Sequence, residues 1–226
     1  IEGLAGNDTL VGGGGDDVLL GGAGNDTLQL GAGSSLVDGG TGNDTYMVRS
    51  LSDVIMENAN EGTDTAIASI NYTLGSNVEW LFQAGTADLS GTGNALANLI
   101  VGNAGNNRLN GMGGNDTLIG GDGQDVFVFN TTPGAGNNDT IQNFIVANDT
   151  IELNRSAFPA LSAGPLAAGA FVTGAAALDA DDRIVYNSAT GTLLYDADGT
   201  GATAAVQFAT LVGVVGVLTE ADFVVV

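Results

Sequence analysis

The sequence of 226 residues contains no cysteine and no histidine, and only 4 basic residues stand against 26 acidic ones. Without cysteine no disulfide can stabilise the fold, and without histidine no His-based zinc site, Ser-His-Asp triad or His general base is available. We therefore expect no enzymatic activity from this chain alone. The net charge of −22 disfavours binding to nucleic acid or anionic membranes. No apolar run is long enough to span a bilayer.

Glycine, in contrast, is abundant (37 residues) and recurs with a period of nine. Residues 12–20 and 21–29 both read Gly-Gly-x-Gly-x-Asp-x-U-x, where U is a large apolar residue, and the frame holds over 3–47 and again over 93–128. This nonapeptide pattern indicates a calcium-binding parallel β-roll. The alternative, a flexible glycine-rich linker, would have no reason to keep aspartate and bulky apolar residues in one register.

Each place in the nonapeptide has a physical role. Glycines among the first six places allow tight turns that direct carbonyl oxygens inward. The sixth place supplies a carboxylate and the eighth an inward apolar side chain. Oxygen ligands of this kind suit Ca²⁺ rather than zinc or copper. The sixth-place carboxylates are Asp8, Asp17, Asp26, Asp44, Asp116 and Asp125. The eighth-place residues are Leu10, Leu19, Leu28, Val37, Tyr46, Ile100, Leu109, Leu118 and Phe127.

These repeats resemble those of the RTX (repeats-in-toxin, hemolysin-type calcium-binding) family. The resemblance implies an all-β fold, a right-handed parallel β-roll in which each nonapeptide is half a coil and Ca²⁺ lies between stacked loops, followed by a small β-rich C-terminal cap. In that family one loop gives the carbonyls of its second and fourth places and its Asp. The next loop on the same edge gives the carbonyls of its first and third places and its Asp.

The family pattern assigns ligands residue by residue. One site joins Leu4, Gly6 and Asp8 to Gly21, Ala23 and Asp26, and the next joins Gly22, Gly24 and Asp26 to Gly39, Thr41 and Asp44. On the other edge, Gly13, Gly15 and Asp17 face a loop with Ser35 in place of Asp, so this site is expected to be weak or absent. The second block offers Asn103, Gly105 and Asn107 with Gly120, Asp122 and Asp125, further ligands at Gly114 and Asp116, and Asp139 completing a site with Gly121, Gly123 and Asp125. About four to six ions are expected in all.

Three assignments stay open at the level of sequence. Asn98 and Asn107 occupy the ligand place but bring no charge, so they either bind calcium weakly or form a hydrogen-bonded ladder. Asp149 is either a ligand or a turn residue. The run from Asp196 to Gly201 resembles the start of an EF-hand loop, but its twelfth place is Gln207 rather than Glu, so a hairpin turn is preferred.

The chain divides into four segments by composition. Residues 1–47 are the first repeat block, 48–92 a spacer of short β-rich runs, 93–153 the second block with its closing segment, and 154–226 the C-terminal cap. The spacer is predicted to continue the solenoid without calcium, with Trp80 and Phe82 as core or cap residues. Its carboxylates are predicted to form a solvated face; they are Asp53, Glu57, Glu61 and Asp64.

The two ends of the chain suggest its context. Ile1 lies inside a repeat, which predicts a fragment with upstream domains in the same polypeptide. The final residues, 222–226, resemble the type I secretion signal of serralysin-like RTX proteins. The resemblance therefore implies a non-catalytic, secreted module that is exported by type I secretion machinery and folds on binding calcium. Two alternatives stay open: a calcium-ordered part of a surface-layer or adhesin protein, and the C-terminal part of an RTX protease, lipase or epimerase.

Overall fold

The computed structural model describes all residues from 1 to 226, which form short strands and two 3₁₀ helices but no α-helix. The strands are short because glycine, asparagine and aspartate corners interrupt them at regular intervals. The strands are β1 (Glu2–Ala5), β2 (Thr9–Val11), β3 (Val18–Ala23), β4 (Thr27–Gln29), β5 (Leu36–Thr41), β6 (Thr45–Val48), β7 (Val54–Met56), β8 (Thr65–Ala68), β9 (Tyr72–Thr73), β10 (Trp80–Gln83), β11 (Ser90–Thr92), β12 (Leu99–Val101), β13 (Arg108–Asn110), β14 (Thr117–Ile119), β15 (Val126–Phe129), β16 (Asp139–Gln142), β17 (Thr150–Leu153), β18 (Gly164–Pro165), β19 (Phe171–Thr173), β20 (Ile184–Asn187), β21 (Thr192–Tyr195), β22 (Val206–Val212) and β23 (Phe223–Val225). The 3₁₀ helices are Ala168–Ala170 and Glu220–Asp222.

Successive strands alternate between two sides of a parallel coil. The even-numbered strands β2 to β16 lie in order in a 12-stranded sheet, which continues through β22, β21, β20 and β19. The other side of the coil consists of a 4-stranded sheet, β1-β3-β5-β7, and a 7-stranded sheet, β9-β11-β13-β15-β17-β23-β18. In the first block Thr9 pairs with Thr27 and Thr27 with Thr45, so two nonapeptides make one coil. The all-β, parallel β-roll predicted from the repeats is confirmed.

The core runs along the axis of the coil as a single cluster of 35 buried residues. It contains every one of the eighth-place residues named above, and each is exposed by 3% or less. Because neighbouring side chains on a strand point to opposite faces, one apolar residue per short strand is enough to fill the narrow interior.

The segment from 48 to 92 keeps the same pairing although its coils differ in length. Thr65 pairs with Thr45, Trp80 with Thr65, and Leu99 with Trp80, so the 12-stranded sheet is unbroken. On the opposite side the ladder is interrupted between β7 and β9.

The prediction that Trp80 and Phe82 are core or cap residues is wrong. Leu81 is the fully buried residue of β10, whereas Trp80 is 40% exposed. Strand alternation then places Phe82 on the outer face as well, where the two rings pack edge to face with centroids 6.4 Å apart. The large aromatic pair therefore covers the outside of the sheet rather than filling the coil.

The C-terminal residues close the end of the coil by extending both of its sides. Strand β22 pairs in parallel with β16, and β23 pairs in parallel with β17. Strands β20, β21 and β22 pair antiparallel and add a small meander. Beneath it Phe158 packs edge to face against Tyr195 and Phe208, at 5.1 and 5.2 Å between centroids. This aromatic cluster seals the last coil against water.

No helix of the structure has the length and apolarity required to cross a lipid bilayer.

Candidate calcium-binding loops

The glycine-rich loops of the first block stack so that their aspartates form a ladder along one edge. The backbone N–H of Asp8 donates to Oδ1 of Asp26 at 2.7 Å, and that of Asp26 donates to Oδ1 of Asp44 at 2.6 Å. The ladder continues beyond the repeats, because the N–H of Asp44 donates to Oδ1 of Asp64 at 2.8 Å. One oxygen of each carboxylate thus joins one coil to the preceding one.

The second oxygen of every sixth-place aspartate is buried and has no hydrogen-bond donor. These atoms are Oδ2 of Asp8, Asp17, Asp26, Asp44, Asp116 and Asp125. Buried polar atoms in proteins are almost always paired, and an unpaired anionic oxygen costs several kcal/mol or more. The same atom is left without a donor six times, at the place that the repeat assigns to a ligand, so the pattern calls for a cation.

Carbonyl oxygens of the stacked loops converge on the same spaces. A Cβ placed on Gly3 would lie 2.6 Å from the carbonyl oxygen of Gly21 and 2.8 Å from Oδ2 of Asp8. The corresponding position on Gly21 lies between Oδ2 of Asp26 and the carbonyl of Gly39. Glycine at the first place therefore keeps open a pocket between a carboxylate and a carbonyl of the next loop.

Strand pairing brings together the two predicted ligand sets of this edge. Leu4 pairs with Gly22 and Ala5 with Ala23, and one coil later Gly22 pairs with Gly40 and Ala23 with Thr41. The backbone turns into the left-handed region at Gly22 (φ +107), where the Cβ of any other residue would meet the carbonyl of Leu4. The loops are thus in register for ligands to be shared between them.

The opposite edge of the first block has fewer carboxylates. The loop with Gly13, Gly15 and Asp17 stacks under the next loop, since the N–H of Ala32 donates to the carbonyl of Gly13 at 3.0 Å. The sixth place of that next loop is Ser35, whose N–H donates to Oδ1 of Asp53 at 3.1 Å. Asp17 is half-buried, and the adjacent loop offers no second carboxylate at its sixth place. The expectation of a weak calcium site at Asp17 rests on this arrangement.

Asparagine replaces aspartate in two loops of the second block, and its amide groups are hydrogen-bonded. Oδ1 of Asn98 accepts from the N–H of Asn94 at 2.8 Å, while its Nδ2 donates to the carbonyl of Glu79 at 3.0 Å. Oδ1 of Asn107 accepts from the N–H of Asn103 at 2.7 Å. Of the two interpretations left open by the sequence, these contacts support the hydrogen-bonded ladder.

A known family matches the chain in its two repeat blocks. The family model of the RTX calcium-binding nonapeptide repeat matches residues 1–28, 21–55 and 92–127, in four copies. The chain contains RTX repeats. The matched residues include all six sixth-place aspartates. No curated protein matches the chain in sequence.

One solved structure similar to the chain is the extracellular lipase LipA from Serratia marcescens, with 17% sequence identity and a TM-score of 0.27. The match covers 98% of this chain and 38% of the lipase, so the chain spans well under half of that protein's length.

The closing segment of the RTX block is built differently from the prediction. Asp139 was predicted to complete a site with Gly121, Gly123 and Asp125, but its Oδ1 accepts from the N–H of Asp116 at 3.0 Å. Asp149 is the residue that stacks on Asp125: the N–H of Asp125 donates to Oδ1 of Asp149 at 3.1 Å. The predicted pairing is wrong because strands alternate sides. Asp139 opens β16 and therefore shares an edge with Asp116, before β14, rather than with Asp125, before β15.

The pairs Asp116/Asp139 and Asp125/Asp149 differ in the surroundings of their carboxylates. Asp116 and Asp139 are both almost fully buried and face each other, and burial raises the pKa of both carboxyls. Oδ2 of Asp149 instead accepts from the N–H of Ile145 at 2.8 Å. Burial raises the pKa of Asp125 to about 6. In both places an Oδ2 is left for a cation, that of Asp116 and that of Asp125.

The spacer carboxylates do not form the solvated face that was predicted. Asp53, Glu57 and Asp64 are exposed by only 8%, 9% and 1%, and Glu61 is half-buried. Burial raises the pKa of Asp44 and Asp64 to about 6 and that of Glu57 to about 8, with a further rise from neighbouring carboxylates. Asp64 follows Asp44 by 20 residues rather than 18, so a two-residue insertion hid it from the nonapeptide frame.

The EF-hand-like run lies in a hairpin, as preferred from the sequence. Strands β21 and β22 pair antiparallel, and residues 196–205 connect them. Oδ2 of Asp198 accepts from the N–H of Thr203 at 3.1 Å, and Oδ1 of Asp196 from the N–H of Asp198 at 3.2 Å. These contacts hold the turn, whereas the buried Oδ1 of Asp198 has no hydrogen-bond donor.

The donor set of the RTX loops decides which ion fits. Unpartnered carboxylate oxygens and backbone carbonyls are oxygen ligands only, and a chain without cysteine or histidine offers no soft or imidazole ligand. Ca²⁺ takes six to eight such oxygens in flexible geometry, whereas Mg²⁺ demands a tighter octahedron. The residues present therefore fit calcium, which would supply charge neutralisation and cross-linking between coils.

Proposed function

We propose that the chain is the calcium-dependent, non-catalytic folding module of a larger secreted protein. The observation that carries the proposal is the set of six buried carboxylate oxygens, one at each sixth-place aspartate, that have no donor of their own. Without a cation these oxygens oppose folding, and with one they hold the coils together. Folding and ion binding are then one event.

The energies involved are of the right size for such a switch. With a Kd of about 10⁻⁴ M, typical of extracellular modules, and free calcium near 1 mM, each filled site adds about 1.4 kcal/mol to the free energy of unfolding. Four or five sites then add about 6–7 kcal/mol, which equals the whole stability of many domains. At cytosolic calcium levels the same sites add almost nothing.

The C-terminal residues support export of an unfolded chain. Phe223 and Val225 are each exposed by 2% and lie in β23, paired with β17. Asp222 accepts from the N–H of Thr219 at 2.7 Å and is buried too. A secretion receptor could read this segment only before the cap has folded. A calcium-free chain inside the cell satisfies that condition, and folding outside would then prevent its return.

Circular dichroism and calorimetry test the proposal. In EGTA the chain should lack most of its β signal, and millimolar Ca²⁺ should restore it, with several ions bound per chain. Magnesium at the same concentration serves as the control and should not replace calcium. Identical, ordered spectra in chelator and in calcium would contradict the proposal.

One surface feature favours the second candidate, a calcium-ordered surface-layer or adhesin part. Val18, Leu36 and Val54 pair across the 4-stranded sheet and are 52%, 42% and 53% exposed, so they form an apolar row on its outer face. Exposed apolar rows are typical of interaction surfaces. Calcium-dependent multimers in light scattering would support this function, and a strict monomer at all calcium concentrations would exclude it.

A further inference from the structure

A cluster of carboxylates lies where the spacer meets the last loop of the first RTX block. Ligand oxygens of Asp44, Glu57 and Asp64 lie within 4.8 Å of one another, and so do those of Asp38, Glu57 and Glu61. Glu57 belongs to both groups. It stands outside the nonapeptide frame, and the RTX pattern assigns it no role.

Two of these side chains present buried oxygens that nothing satisfies. Glu57 is 9% exposed, its Oε1 accepts from the hydroxyl of Tyr46, and its Oε2 has no partner. Asp44 is 1% exposed, and its Oδ2 also has no partner. Tyr46 is fully buried and also accepts from the N–H of Gly39 at 2.9 Å, so the Glu57 carboxylate is held in a fixed position.

No basic side chain balances this charge. The single ion pair of the structure joins Arg108 to Glu152, on β13 and β17. The stacked backbone nevertheless keeps the carboxylates together, because the N–H of Gly42 donates to the carbonyl of Glu61 at 2.6 Å. The fold therefore concentrates negative charge at a point where it supplies no positive charge.

We propose that Asp44, Glu57 and Asp64 form a calcium site outside the RTX consensus, with Asp38 and Glu61 on its outer side. The site has more carboxylates than a pair of RTX loops, and calcium affinity rises with the number of charged ligands. It is accordingly the tightest site of the chain and the first to fill. Occupation fixes the irregular coil at 57–64 onto the loop at 39–44. The site shares Asp44 with the last RTX loop of the first block, whereas Glu57 and Asp64 belong to no RTX loop.

Calcium calorimetry on the full chain tests the assignment with Glu57→Gln, Asp38→Asn and the control Asp181→Asn, an exposed residue of the cap. Glu57→Gln should lose at least one ion and weaken the tightest binding step at least tenfold, while the weaker RTX steps persist. Asp38→Asn should weaken the same step without loss of an ion, and the control should match the wild type. Circular dichroism in saturating calcium verifies folding; if Glu57→Gln does not fold, Asp38→Asn decides.

Terbium luminescence gives a second readout, since Tyr46 contacts Glu57 and can sensitise a bound Tb³⁺. Tyr46→Phe should reduce the emission that saturates first. An unchanged tightest step in both acidic variants, or unchanged emission in Tyr46→Phe, overturns the inference. A wild type that shows the tight step but no weaker steps would instead contradict calcium binding by the RTX loops.

Discussion

Replacing Asp125 by asparagine should stabilise the calcium-free fold, and bound calcium should cancel that gain. Asp125 is 1% exposed, its Oδ1 accepts from the N–H of Asn107 at 2.8 Å, and its Oδ2 has no donor. Asparagine can keep the first contact and removes only the charge. The substitution therefore separates the hydrogen-bonding role of the residue from its role as a ligand.

The magnitude follows from the pKa of Asp125, which burial raises from 3.8 to about 6. At pH 7.5 a carboxyl perturbed in this way opposes folding by about 3 kcal/mol, so Asp125→Asn should stabilise the calcium-free fold by up to that amount. Loss of one site removes about 1.4 kcal/mol of calcium stabilisation at tenfold excess over Kd and about 2.7 kcal/mol at hundredfold excess. The advantage of the variant should therefore shrink and disappear as calcium rises.

Unfolding by urea in buffered calcium, followed by circular dichroism, measures the calcium-loaded side. Osmolyte-induced folding in EGTA measures the calcium-free side. Asp181→Asn is the control, because it removes the same charge from an exposed position of the C-terminal cap and should leave the calcium increment unchanged. A variant less stable than the wild type in EGTA, or one with the full calcium increment, would refute the reasoning.

Three further predictions concern protons, glycine corners and the core. In EGTA the chain should gain β structure as the pH falls from 8 to 5. The raised carboxyl pKa values stabilise the folded state fully below about pH 4, and this stabilisation is lost as the pH rises through about 6 for Asp44 and Asp64 and about 8 for Glu57. Loss of structure on acidification, measured by circular dichroism, would contradict this prediction. Gly22→Ala should lower the free energy of unfolding by about 1–3 kcal/mol in the presence of calcium, because Gly22 has a φ of +107. Gly14→Ala should be nearly neutral, because a Cβ at Gly14 would have nothing within 4 Å. Equal melting temperatures of the two variants would count against the stacked loops. Leu81→Ala should cost about 2–5 kcal/mol and Trp80→Ala clearly less, since Leu81 is fully buried and Trp80 is 40% exposed; the reverse order in urea unfolding would be inconsistent with the register of β10.

The strictly periodic parts of the chain were predictable from the sequence alone. Leu10, Leu19 and Leu28 stand at the eighth place of successive nonapeptides, and each is buried. The sixth-place aspartates were identifiable in the same way, and the Oδ2 atom of each has no hydrogen-bond partner. A fixed period of nine links sequence position to side-chain direction, so one repeat read correctly describes all of them.

Prediction failed where the coil length changes. Asp139 follows Asp116 by 23 residues and Asp149 follows Asp125 by 24. A spacing of two nonapeptides therefore no longer identifies the loop on which each of these aspartates stacks. The alternation of strands between the two sides would have assigned both correctly. Glu57 lies at an irregular coil of the spacer, and no local pattern marks it as buried.

An anomalous difference map from crystals grown in calcium tests the central claim most directly. The account predicts peaks for bound ions beside the unpartnered Oδ2 atoms, among them those of Asp26, Asp44, Asp116 and Asp125. A well-ordered coil with no anomalous peak at any of these aspartates would contradict it.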